Sequence, residues 1–290
     1  MCDEFTAQAD DAAMARSGVS RREFGAMGAA AALAACSGSE AIAAAGDLVE
    51  RTVDVTTPDG TSDCFFVHPA KGKHPGIVFW PDIGGLREAK KAMARRLAAE
   101  GYAVLVVNQY YRSAKAPILS SFAEWRTPEG RGKVMPMAAL LTPEAVTRDG
   151  AAYAAFLDTQ AAVDTARGIG TQGYCMGGPF TVRTAAAAPA RVKAAASFHG
   201  GGLVTDKPDS PHLLLTSTQA SYLIAVARND DAKAPTEKDV LRQVADAAKR
   251  PAEVEVYAAD HGWCVPDSPV YDKIAGDRAF ARLLVLYGRL

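Results

Sequence analysis

Short apolar runs alternate along this chain with longer stretches whose apolar residues recur at helical spacing. Gly76 to Trp80 and Ala103 to Val107 are unbroken apolar runs of strand length, as buried parallel strands require. Gly168 to Gly173, Lys193 to Phe198 and Tyr222 to Ala227 follow as further strands, and Glu253 to Tyr257 alternates with period two. Ahead of them, Leu48 to Thr57 and Ser62 to His68 flank Pro58-Asp59-Gly60, which predicts an antiparallel hairpin. Helices are expected over Arg87 to Glu100, stopped by Gly101, and over Pro143 to Leu157, Glu237 to Lys249 and Asp277 to Leu290. This alternation predicts an α/β protein: a mostly parallel central sheet with helices on both faces and its site at the carboxyl ends of the strands. Residues 112–142 break the rhythm. They carry Pro117, Trp125, Pro128, Gly130, Gly132 and Pro136 without a clean period, so an irregular, lid-like connection is expected there.

The first 45 of the 290 residues follow a different pattern. Ser20-Arg21-Arg22-Glu23-Phe24 precedes an uncharged Ala- and Gly-rich run to Ser39 that is too short and too weakly apolar for a membrane span. A paired arginine ahead of a modest apolar region resembles a bacterial twin-arginine signal, which implies the Tat translocase as a partner during export and a periplasmic or envelope location. Leu33-Ala34-Ala35-Cys36 resembles a lipobox that would tether the chain through a lipid on Cys36; the competing cut is an A-x-A site ending near Ala45. With that segment set aside, residues 46–290 suit one catalytic domain with ample apolar chain for a core.

Charge and cysteine usage narrow the chemistry. Lys and Arg number 32 against 33 Asp and Glu, and the basic residues are scattered without aromatic interleaving, so no nucleic-acid partner is expected. The 5 His are too dispersed for a zinc site. Beyond Cys2 and Cys36, the cysteines are Cys64, Cys175 and Cys264, an odd number, so at least one thiol stays free. Whether Cys64 and Cys264 pair is open at this level.

Chemistry concentrates at Gly173-Tyr174-Cys175-Met176-Gly177-Gly178, which follows a strand-like run and opens an Ala-rich helical segment. It has the form of a nucleophile elbow with cysteine in the place of serine: small residues on either side let neighbouring backbone pass closely, and the helix N-terminus favours a thiolate. Two partners follow in order. Asp230 stands just past the Tyr222 to Ala227 strand, with Asp231 as its rival, and His261 stands just past the last strand. The order nucleophile, acid, histidine is that of an α/β-hydrolase. It makes Cys175 the attacking group, His261 its base and Asp230 the group that holds the imidazole. The oxyanion donors expected are the N–H of Met176 and, from the loop after the Gly76 to Trp80 strand, that of Ile83.

These residues resemble the dienelactone hydrolase family of α/β-hydrolases, from about Thr52 to Leu290. The resemblance is carried by the elbow with its cysteine, the Asp230 strand end, His261-Gly262-Trp263 and Ala196-Ser197-Phe198-His199-Gly200-Gly201. It implies hydrolysis of a small-molecule lactone or ester through a Cys-His-Asp triad without metal or organic cofactor, and it marks Trp263 as a supporting residue. Two positions depart from the family. Where its members carry a glutamate that contacts the resting thiol, this chain has the shorter Asp82; of two arginines for a substrate carboxylate, Arg112 stands where one is expected and Val265 where the second would fall. An anionic dienelactone is therefore no better an expectation than a less charged ester or lactone. Two other functions share these residues: acyl transfer to an acceptor other than water, and a non-catalytic exported binding protein on the same scaffold.

Overall fold

The computed structural model describes residues 47–290; the twin-arginine segment, Cys2 and Cys36 lie outside them. Strands β1 (Leu48–Thr57) and β2 (Gly60–Pro69) form the expected hairpin, Thr57 opposite Gly60 and Leu48 opposite Pro69. Next come β3 (Gly76–Trp80), α1 (Glu88–Ala99), β4 (Ala103–Val106), α2 (Phe122–Trp125), α3 (Pro128–Ala138), α4 (Pro143–Asp158) and β5 (Ile169–Tyr174). The chain closes with α5 (Gly178–Ala187), β6 (Val192–Phe198), β7 (Ser221–Ala227), α6 (Arg228–Lys233), α7 (Glu237–Ala247), β8 (Ala252–Tyr257) and α8 (Lys273–Tyr287). The eight strands lie in the order β1-β2-β4-β3-β5-β6-β7-β8, antiparallel over the first three and parallel from β4 onward. This is the mostly parallel α/β sheet that the pattern of runs predicts, in the α/β-hydrolase arrangement expected from the order of Cys175, Asp230 and His261.

Strand β3 explains how the sheet is buried on both faces. Its side chains alternate: Val78 and Trp80 enter one core with Tyr153 of α4, Val182 of α5 and Leu241 of α7, while Ile77 and Phe79 enter the other with Leu97 of α1 and Leu283 of α8. Among the described residues, Cys64 and Cys264 are free cysteines in these two separate cores, so they do not pair. Burial pushes the Cys64 thiol up to about 12 and raises that of Cys264 as well.

The strand order also locates the site. From β3 the chain steps outward to β4, then returns past β3 to β5 and continues the other way. The carboxyl ends of β3 and β5 therefore flank the point where the winding reverses, and the crevice there is where such sheets place their sites.

One expectation needs correction. Residues 112–142 are not irregular: they contain α2 and an eleven-residue α3. The same prolines and glycines that hide the period build these helices. Pro128 occupies the first turn of α3, Thr127 caps it by accepting the Gly130 N–H, and a Cβ on Gly130 would lie 1.9 Å from the Glu124 carbonyl oxygen of α2. Tight packing of α2 on α3 demands that glycine.

Candidate active site

Strand β5 ends at Tyr174, and the next residue, Cys175, has φ of +54°, a left-handed conformation that a non-glycine residue adopts only under constraint. The constraint comes from close-packed backbone. A Cβ on Gly173 would lie 2.0 Å from the Gly177 carbonyl oxygen, one on Gly177 would lie 2.5 Å from that of Pro81, and one on Gly178 would lie 2.6 Å from Cα of Gly200. Glycines at these positions thus let the elbow turn sharply while the β3 loop and the β6 loop press against it. A single 3₁₀ turn over Cys175–Gly177 leads into α5, whose N-terminal end favours negative charge beside Cys175.

The acid and the histidine meet as the chain order suggests. His261 Nδ1–H donates to Asp230 Oδ2 at 2.6 Å, which leaves Nε2 as the basic nitrogen. Asp230 sits on α6, a short helix that the sequence pattern did not predict, and Asn229 beside it accepts the His261 backbone N–H at 2.9 Å. Asp231 points elsewhere: its carboxylate receives Lys238 Nζ at 2.6 Å. Geometry therefore resolves the rivalry in favour of Asp230.

The β3 loop is fixed from several sides. The Asp82 carbonyl accepts from Gly85 N–H and Gln109 Nε2, and the Ile83 carbonyl accepts the Tyr110 hydroxyl at 2.8 Å. The Ile83 side chain joins Tyr110, Leu119, Trp125 and Val134 in an apolar cluster against which Met176 packs. Both predicted oxyanion residues therefore lie together beneath the α2–α3 segment.

Two of the supporting residues have their charges taken up by partners within the fold. The Asp82 oxygens receive Arg87 Nη1 at 2.7 Å, Arg87 Nη2 at 3.1 Å, Lys90 Nζ at 2.7 Å and the Gly84 N–H. Burial alone would raise the Asp82 carboxyl, but the charges and hydrogen bonds of Arg87 and Lys90 outweigh it and hold the group far below the usual carboxylate range. Arg87 continues the network to Asp267, which also accepts the Phe122 N–H of α2, so the β3 loop, the histidine loop and the α2–α3 segment share one buried guanidinium. Arg112, expected at a substrate carboxylate, is instead held by Asp149 at 2.8 and 2.9 Å and by Asp59 at 2.6 Å. That arrangement clamps the β1–β2 turn to α4. Trp263 is fully buried, its ring stacked on Tyr257 at 5.0 Å, and so supports the histidine loop from below.

His199, to which no motif assigns a role of its own, joins these parts. It follows β6, has φ of +41° and is buried, with ring centroids 4.7 Å from His261, 5.2 Å from Trp263 and 6.1 Å from Tyr174, the residue before Cys175. Burial first, then the nearby charges of His261 and Lys90, push its pKa well below the ordinary histidine value. Its segment takes part in the resemblance, but only tertiary contacts show what the ring touches.

Comparison with known proteins agrees with this architecture. The model of the dienelactone hydrolase family matches residues 63–290. A Methylorubrum extorquens protein provisionally named carboxymethylenebutenolidase is 28% identical over 234 residues, covering 78% of this chain and 76% of its own length. The carboxymethylenebutenolidase of Rhodococcus opacus is 26% identical over 201 residues, 68% of this chain and 74% of its own. Among solved structures, a provisionally identified dienelactone hydrolase from Klebsiella pneumoniae superposes with a TM-score of 0.71 at 20% identity, covering 84% of this chain and all of that one.

Proposed function

Because this chain belongs to the dienelactone hydrolase family and is a lactone or ester hydrolase of that type, we propose that it works through a Cys175-His261-Asp230 triad and a thioester intermediate. The observation that carries the proposal is the 2.6 Å His261–Asp230 hydrogen bond, in a fold that sets Cys175 in a left-handed elbow at the head of α5. Cys175 Sγ attacks the acyl carbon as its proton passes to His261 Nε2, and Asp230 keeps the other ring nitrogen protonated. The oxyanion is received by the N–H groups of Met176 and Ile83. As the tetrahedral intermediate collapses, the C–O bond breaks and the imidazolium protonates the leaving alcohol oxygen, which stays tethered when the substrate is a lactone. Water then gives a proton to His261 and attacks the thioester carbon; the thiolate leaves and recovers that proton.

Two features support an uncharged ester or lactone over an anionic one. The Arg112 guanidinium is already held by Asp59 and Asp149, and Val265, where the second arginine would fall, is buried. Apolar Leu119, Trp125 and Val134 beside Ile83 and Met176 suit a hydrophobic acyl or alcohol group. From Arg21-Arg22 we also infer Tat-dependent export, ending either in a lipid on Cys36 or in a cut near Ala45.

The test is a panel of aryl esters and lactones with the reduced protein, read by turnover and by intact mass during turnover. An acyl adduct on Cys175 is expected, with kcat lowered at least about a hundredfold in Cys175→Ala and in His261→Ala. Near-normal turnover by a folded Cys175→Ala variant would overturn the covalent route.

A further inference from the structure

His199 carries two structural costs at once. Its backbone is left-handed without being glycine, and among the described residues neither ring nitrogen has a hydrogen-bond partner although the side chain is buried. Both costs fall beside the elbow, because Phe198 pairs with Tyr174 across the β5–β6 register. One flank of the ring lies 4.7 Å from His261, tilted by 60°; another meets Trp263 edge-on at 5.2 Å, and Trp263 rests on Tyr257 of β8. An aromatic column therefore runs from the last strand up to His261.

We propose that His199 is a positioning residue whose ring is the wall that keeps the His261 imidazole hydrogen-bonded to Asp230. The proposal rests on the triad reading above. His261 is held at its backbone by Asn229 and at Nδ1 by Asp230, and a ring at van der Waals distance removes the space into which the imidazole would otherwise swing. The groups facing His199 are His261, Trp263, the Tyr174 ring, and the buried ammonium of Lys90 with its Asp82 partner. Burial and the nearby positive charge keep His199 uncharged, so His261 can take up a proton without facing a second imidazolium.

The test uses the reduced full-length chain with His199→Asn, which accepts a left-handed backbone but removes the ring, and His199→Phe, which restores a ring without nitrogens. For His199→Asn, kcat on a responsive ester should fall about tenfold or more with KM changed less than about twofold, and the pH profile of Cys175 alkylation should move toward that of an ordinary thiol. His199→Phe should stay within about threefold of wild type in both readouts. In a His261→Ala background, His199→Asn should cost less than about twofold further, because the wall acts through His261. An equal loss in both backgrounds, or a His199→Phe variant as impaired as His199→Asn, overturns the proposal. If no ester is turned over at all, the alkylation profile still reads the contact between the two histidines, which separates failure of the wall from failure of the hydrolase mechanism.

Discussion

Gly177→Ala isolates the contact between the elbow and the loop that carries Ile83. The backbone of Gly177, φ −72° and ψ −16°, suits alanine, so the added methyl acts through space and not through strain. That methyl would stand 2.5 Å from the Pro81 carbonyl oxygen and 2.7 Å from that of Trp80, both backbone atoms with no rotamer to yield. Relief to an ordinary contact needs a displacement of at least about half an ångström between Ile83 and Met176, the two proposed oxyanion donors. Since roughly an ångström of misplacement costs about a hundredfold, kcat should fall about ten- to a hundredfold, or roughly 1.4–2.7 kcal/mol of transition-state stabilisation. Overpacking should also lower stability by about 1–3 kcal/mol, a drop in Tm of roughly 2–12 °C. Steady-state kinetics on an aryl ester, with a thermal melt of the same preparation, measures both. Gly132→Ala is the control: a Cβ there on α3 would meet nothing within 4 Å, so activity should be unchanged and stability slightly higher. A folded Gly177→Ala variant with kcat within about threefold of wild type would show that the β3 loop and the elbow do not build one oxyanion site.

Exchanging the two neighbouring acids should give unequal results in the same kinetic assay: Asp230→Asn loses kcat heavily, while Asp231→Asn, which breaks only the Lys238 contact, changes it less than about threefold. Mass-spectrometric labelling near neutral pH should find Cys175 alkylated well before Cys64 and Cys264, whose buried thiols are held protonated; equal labelling of all three would count against an activated nucleophile. Because the His199 pKa lies below its unfolded value, the unfolded chain binds the extra proton, and stability is full above about pH 7 and lost as pH falls below about 6.5. Denaturant titrations should therefore show wild type losing up to about 1.4 kcal/mol per pH unit relative to His199→Phe on the acid side, and parallel curves would refute an uncharged His199. Replacing Arg21 and Arg22 by lysine preserves charge yet should retain the precursor in the cytoplasm, as fractionation would reveal.

Much of the fold was legible because its signals are local. The run Gly76 to Trp80 coincides with β3, and Pro58-Asp59-Gly60 turns the hairpin where expected. Legibility failed where a residue's meaning depends on a distant partner. Pro128 and Gly130 suggested a loop because the sequence does not show α2, against which Gly130 packs. Arg112 is equally suited to a substrate carboxylate or to Asp149 and Asp59, and only folding chose.

The sequence by itself determined the succession of strands and helices, the elbow around Cys175, and the order in which acid and histidine follow it. Periodicity, glycine spacing and strand ends are properties of neighbouring residues, so they survive in one dimension. The tertiary structure brought Asp230, the acid the sequence preferred, onto His261, 31 residues away, and it alone decided that Asp231 turns to Lys238, that Asp82 is spent on Arg87 and Lys90, and that His199 backs the imidazole. It also joined Arg87 to Asp267 across 180 residues, linking three loops through one guanidinium. Hydrogen bonds and ring contacts act over a few ångströms, and which side chains come that close is set by how the sheet winds on either side of β3.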